Sequence, residues 1–117
     1  MANVLVILND PPYGTERTYN GLRLAIALAH REGQDVRVFL MGDAASGAKS
    51  MQKVPQGYYN IETMLGRLRR HGGQIAVCGT CLDARGIADA ELAEGAGRGT
   101  LEQLADWVTW ADRVLVF

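Results

Sequence analysis

Two cysteines three positions apart, in Cys78-Gly79-Thr80-Cys81, are the residues of this sequence best suited to covalent chemistry. The nucleophilic form of a cysteine is the thiolate, and its pKa falls beside a cation or exposed backbone amides. Arg85 follows four residues after Cys81, so its guanidinium and the amides of the turn are expected to supply positive potential to the first thiol. Asp83, between them, is a polar candidate for binding. A free cysteine also serves as a small buried hydrophobe, and spacing alone leaves the reactive and structural uses open.

Other uses of a C-x-x-C pair fit less well. A structural zinc site takes four ligands, and the sequence has no second cysteine pair. The two histidines, His30 and His71, each end a helical pattern and precede a strand pattern. They therefore belong at the opposite edge of a parallel sheet from the thiols. A five-residue strand spans roughly 17 Å, too far for either ring to share a metal with the cysteines or act as their general base. No metal and no cofactor are expected. A thioredoxin-like role is suggested by C-x-x-C beside a βαβ pattern, but here the pair follows the third strand instead of opening the first helix.

The elements that must position these thiols alternate along the chain. Residues 4–8 form a continuous apolar run bounded by Asn9, Asp10, Pro11 and Pro12, as a strand buried on both faces does. From Thr15, a candidate N-cap, Leu22, Ile26 and Ala29 follow helical spacing, widened by Leu24, Ala25 and Leu28, until Gly33. Residues 36–41 read as a second strand, and residues 42–57, almost without large apolar side chains, as a long loop. Asn60 caps a helix with Ile61, Met64, Leu65 and Leu68 inside and basic residues at its end. Residues 74–78 form the third strand and GTCLDARG a short polar turn.

Residues 87–92 read as a short helix, and the glycine-rich residues 95–99 as a separator. Thr100 and Gln103 suggest a capping box for a helix whose stripe is Leu101, Leu104, Ala105 and Val108, with a last strand at 113–117. Such alternation predicts an α/β sandwich with a mainly parallel sheet and helices on both faces. Ligands in these sheets collect beyond the C-terminal strand ends. That edge holds residues 9–14, 42–57 and 78–86. Tyr13, Gly14 and Glu16 are accordingly candidate binding residues, and the long loop, with Lys49, Lys53, Gln56, Tyr58 and Tyr59, is a candidate cover for the thiols.

At 117 residues the chain has the length of one domain, 1–117, and 48% hydrophobic residues can build its core without staples. Twelve Lys and Arg against thirteen Asp and Glu leave a net charge of −1, which gives no electrostatic footprint for nucleic acid. Apolar runs are too short for a membrane span, and MANVLVILNDPP lacks the basic region and cleavage site of a signal peptide. The expected location is the cytoplasm. Trp107 and Trp110 lie on neighbouring helix faces, so at least one is expected outside the stripe, facing another subunit.

Over almost its whole length the sequence resembles the DsrE/DsrF-like family, and within it the small YchN-like branch. The resemblance is carried by PYGTERTYNGLRLAIAL, RVFLMGDA, GYYNIETML, CGTCLDARGI and GTLEQLADW with ADRVLVF, in order. It implies a three-layer α/β/α fold, assembly as homotrimers or homohexamers, and a sulfur relay in which one cysteine carries sulfur as a persulfide between donor and acceptor proteins. In the relay members that cysteine closes the strand before a turn ending in Arg-Gly, the place of Cys78 here. Cys81 matches the C-x-x-C of the YchN-like branch, and a second thiol implies a way to discharge the persulfide as disulfide and sulfide. The leading expectation is sulfur carriage on Cys78, a sulfurtransferase-type reaction. A small-anion or ligand-binding oligomer and a Cys78–Cys81 redox sensor are the competing ones.

Overall fold

The computed structural model describes residues 1–117. Five parallel strands form its sheet: β1 (Ala2–Leu8), β2 (Gln34–Leu40), β3 (Gln74–Cys78), β4 (Ala96–Gly99) and β5 (Arg113–Val116). Their order is β4-β3-β2-β1-β5. The helices are α1 (Arg17–Ala29), α2 (Ile61–Arg70), α3 (Gly79–Ala84) and α4 (Leu101–Trp110). No helix is long and apolar enough to cross a membrane.

The continuous apolar runs of β1 and β2 serve two cores at once. Val4, Val6 and Leu8 point into the larger core, where α1 contributes Leu22 and Ile26 and α2 contributes Ile61, Leu65 and Leu68. Leu5 points the other way and joins Phe39, Ala76, Leu104 and Trp107 beneath α4. The result is the expected α/β/α sandwich, with only one helix on the second face.

Four expectations need correction. The segment after β2 is not an open loop throughout: Gly42–Ala48 is a 3-10 helix. Its Ala44, Ala45 and Ala48 are fully buried, because methyl groups suffice where the backbone itself approaches the core. GTCLDARG is no mere turn, since Gly79–Ala84 is helical and anchored by fully buried Leu82. The glycine-rich separator is the edge strand β4, paired with β3 from Ile75↔Ala96 to Cys78↔Gly99. Its pairing comes from the backbone, and its AGRG sequence offers no apolar alternation to read. Residues 87–92 contain only a 3-10 turn, Asp89–Glu91.

Two finer points also shift. Helix α1 starts at Arg17 with Glu16 at the cap position, while Thr15 accepts from the Arg17 amide and donates to Asp10. Helix α4 is rotated from the expected stripe: Leu104 and Trp107 are buried, Trp107 meeting Phe39 edge to face at 6.2 Å. Leu101 is consequently 70% exposed and Val108 43% exposed. Trp110 lies outside the core, under the Arg37 guanidinium at 3.8 Å.

Candidate functional site

Cys78 is the last residue of β3 and the cap of α3, so the chain passes from strand to helix at the thiol itself. The reversal has little room. A Cβ on Gly79 would lie 2.6 Å from Arg98 Nη1 and 3.2 Å from the Gly99 carbonyl oxygen, which is why glycine follows the cysteine. Half-buried Cys78 packs toward the smaller core, whereas Cys81, one turn on, packs against the larger. The two thiols thus straddle the C-terminal rim of the sheet.

Their environments differ. Burial pushes the Cys78 thiol up, but hydrogen bonds from the Cys81 and Thr80 side chains and from the amides of the same two residues outweigh it, and its pKa is lowered. The Thr80 hydroxyl lies 3.3 Å from Cys78 Sγ. For Cys81, burial and the hydrogen bond it gives Cys78 push the pKa up. The Gly42 amide, donating to Cys81 Sγ at 3.2 Å, and the Arg85 charge only partly offset this. Cys78 is therefore the better thiolate and Cys81 the proton-holding neighbour.

Beside Cys78 opens a cleft of about 530 Å³, lined by Phe39, Met41, Cys81, Leu101 and Leu104 among others. It lies between the sheet rim and the start of α4. Thr100 caps that helix by accepting from the Gln103 amide at 3.1 Å.

Arg85 stands where the sequence suggests, but its guanidinium is engaged. It donates to Asp43 at 2.6 Å and to the Cys81 carbonyl at 3.1 Å. Its field reaches Cys81 before Cys78, so the Cys81 and Thr80 side chains and then their amides, not the arginine, account for the lowered Cys78 pKa. Asp83 is not among the residues lining the cleft. It accepts from Arg98 at 2.8 Å, which lowers its carboxyl pKa, and Arg98 also donates to Asp89 at 2.7 Å.

Tyr13, Gly14, Glu16 and Tyr58 are not among the residues lining the cleft. Tyr13 accepts from the Ile61 amide at 3.2 Å and stacks on Tyr59, which stacks on Tyr19 at 4.1 Å between ring centroids. Gly14 packs against Pro11. Burial first, and then the charge of Glu16, raises the Tyr59 phenol. Tyr58 lines a separate hollow with Tyr19, Arg23 and Arg67. Lys49, in the candidate cover, is tied to Glu91 at 3.5 Å and pairs its backbone with Leu92. The rings of His30 and His71 meet at a 43° tilt, centroids 3.8 Å apart, beyond the other ends of the strands.

Thr80, Gly42 and Arg98 were not singled out by sequence reasoning. Thr80 lies within the C-x-x-C itself, and Gly42 lies two residues past the end of β2 at the same rim. Arg98 was hidden by its glycine-rich surroundings, and Phe39, Met41 and Leu104 by their ordinary appearance as core residues.

Comparison with known proteins bears on the family and the fold. The model of the DsrE/DsrF-like family matches residues 2–117. The chain belongs to that family. It is 43% identical to Protein YchN of Escherichia coli K12 over 118 aligned positions, covering all of both chains. It is 37% identical to protein MJ0989 of Methanocaldococcus jannaschii over 96% of each. The crystal structure of the Escherichia coli YchN protein superposes with a TM-score of 0.94 over all of both chains at 43% identity. MTH1491 of Methanobacterium thermoautotrophicum, at 12% identity, shares the fold with a TM-score of 0.80 over all of both chains.

Proposed function

We propose that this DsrE-like protein is a sulfur carrier in which Cys78 accepts sulfane sulfur and relays it to a partner protein. The observation that carries the reading is a half-buried thiol at the end of β3, opening on a cleft, with a second free thiol one helical turn away on the same lining; the lowered pKa of Cys78 supports it. In loading, the Cys78 thiolate attacks the outer sulfur of a donor persulfide R–S–SH. The new bond joins Cys78 Sγ to that sulfur, the donor S–S bond breaks, and R–S⁻ leaves with the electron pair. An acceptor thiolate then attacks the outer sulfur of the Cys78 persulfide, and Cys78 departs as thiolate.

Cys81 provides a discharge route when no acceptor comes. Its thiolate attacks Cys78 Sγ, forming the Cys78–Cys81 disulfide and expelling HS⁻. The raised Cys81 pKa keeps this route slow until the proton is lost. The small-anion reading is less favoured, because Arg85 and Arg98 are both committed to aspartates.

Assembly as a homotrimer or homohexamer belongs to the same proposal. Val114 and Val116, in register with Leu5 and Ile7, expose apolar surface on the sheet face that α4 alone covers. A reducing cytoplasm, which keeps both thiols free, is the setting this chemistry needs.

Incubation with a persulfide donor is expected to add one sulfur to the intact mass, and Cys78→Ser to abolish the addition. Cys81→Ser should lengthen the life of the adduct. Persistence of the added sulfur in Cys78→Ser would reject Cys78 as carrier.

A further inference from the structure

The cleft beside Cys78 also bears on which donor it serves, an inference that rests on the carrier reading above. We infer that the donor is an uncharged, apolar organic persulfide, R–S–SH with an aliphatic or aryl R, and not an anionic sulfane such as thiosulfate.

Two features of the cleft carry this. Its lining includes Phe39, Met41, Leu101 and Leu104, a surface that gains by covering hydrocarbon. The cation on its wall, Arg98, is outnumbered by the two carboxylates it pairs with, Asp83 and Asp89. Nε donates to Asp89 at 2.7 Å, and Nη2 and Nη1 donate to Asp83 at 2.8 and 3.4 Å. Glu102, also on the wall, adds a negative charge in the first turn of α4, where it offsets the helix dipole.

The charge count of the reaction separates the two donor classes. When the Cys78 thiolate meets the protonated form of a persulfide whose R group is uncharged, one negative charge spreads over three sulfurs. When it meets thiosulfate, three negative charges gather in an apolar cleft beside Glu102, where the one guanidinium on the wall is already offset by Asp83 and Asp89. Repulsion between like charges grows as the surrounding dielectric falls. The cleft therefore lowers the barrier for the first donor relative to the second, and an R group that fills the space along Leu101 and Leu104 adds binding.

The test compares butyl persulfide, glutathione persulfide and thiosulfate on the wild-type chain. The initial rate of sulfur addition to Cys78 is read by intact mass and divided by each donor's rate with N-acetylcysteine. The normalised rate for butyl persulfide is expected to exceed the other two by about tenfold, the gain from burying roughly two methylenes. Leu101→Ser, at an exposed position outside the core, should remove most of that preference. Equal normalised rates, or a preference that survives Leu101→Ser, would overturn the donor class and leave sulfur carriage standing. Failure of all three donors to mark Cys78 would overturn both.

Discussion

The Thr80 hydroxyl lies 3.3 Å from Cys78 Sγ; the neighbouring Cys81 thiol and this hydroxyl outweigh burial and lower the Cys78 pKa, whereas burial, and then the Cys78 neighbour, raise that of Cys81. The sign for reactivity follows directly: at a given pH below both values, Cys78 holds the larger thiolate fraction. Iodoacetamide is expected to label Cys78 ahead of Cys81 at neutral pH, read by peptide mass spectrometry. Cys81→Ala removes a donor and should move the midpoint of the Cys78 pH–rate curve upward. Arg85→Met should raise the Cys81 midpoint more than that of Cys78.

Gly79→Ala places a methyl group 2.6 Å from Arg98 Nη1 and 3.2 Å from the rigid Gly99 carbonyl oxygen. The expected cost is about 1–3 kcal/mol, typical of forced overpacking. Urea unfolding should show it as a lower midpoint at unchanged slope. A wild-type midpoint would mean that Arg98 moves aside freely.

Leu82, on α3 between the thiol turn and the larger core, is fully buried. Leu82→Ala is expected to destabilise by about 2–5 kcal/mol, measured by denaturant titration. Because α3 positions the amides of Thr80 and Cys81, the Cys78 pH–rate midpoint should rise in the same variant.

The Arg98 guanidinium holds the Asp83 carboxyl below the usual carboxylate range. A depressed carboxyl pKa adds stability above the unfolded-state value, and that increment is lost as pH falls through the folded one. Carboxyl carbon shifts followed by NMR should place the Asp83 midpoint below that of a free aspartate. In Arg98→Ala it should return to the ordinary value.

Val116 is 61% exposed and Val114 40% exposed on the face that α4 leaves open. If that face joins subunits, Val114→Glu with Val116→Glu should reduce the particle mass seen by light scattering while the helical circular dichroism is retained. An unchanged mass would place the contact elsewhere.

The sequence made β1, β2, β3 and α2 readable because each carries a run or stripe of large apolar side chains with clear stops; the Asn60 cap accepts from the Thr63 amide as its position suggests. What escaped is built from small residues. Ala44, Ala45 and Ala48 fill the core with methyl groups, and the β4 segment pairs through its main chain. Cys78 and Cys81 were legible as a reactive pair from spacing. Their unequal acidities were not, because these depend on donors brought in by the fold: Gly42 reaches Cys81 from the end of β2, across 39 positions of sequence. Tyr13, Glu16 and Tyr58 share the C-terminal side of the sheet in the chain order, yet their side chains turn toward α1 and α2.

The donors that acidify Cys78 lie within three residues of it along the chain. Dipoles in direct contact are scarcely screened by dissolved electrolyte, unlike a distant guanidinium, whose influence fades over a Debye length of about 8 Å at 0.15 M. The ionisation of this sulfur should therefore be nearly indifferent to ionic strength, leaving its readiness to react unchanged through the osmotic swings that a living cell imposes.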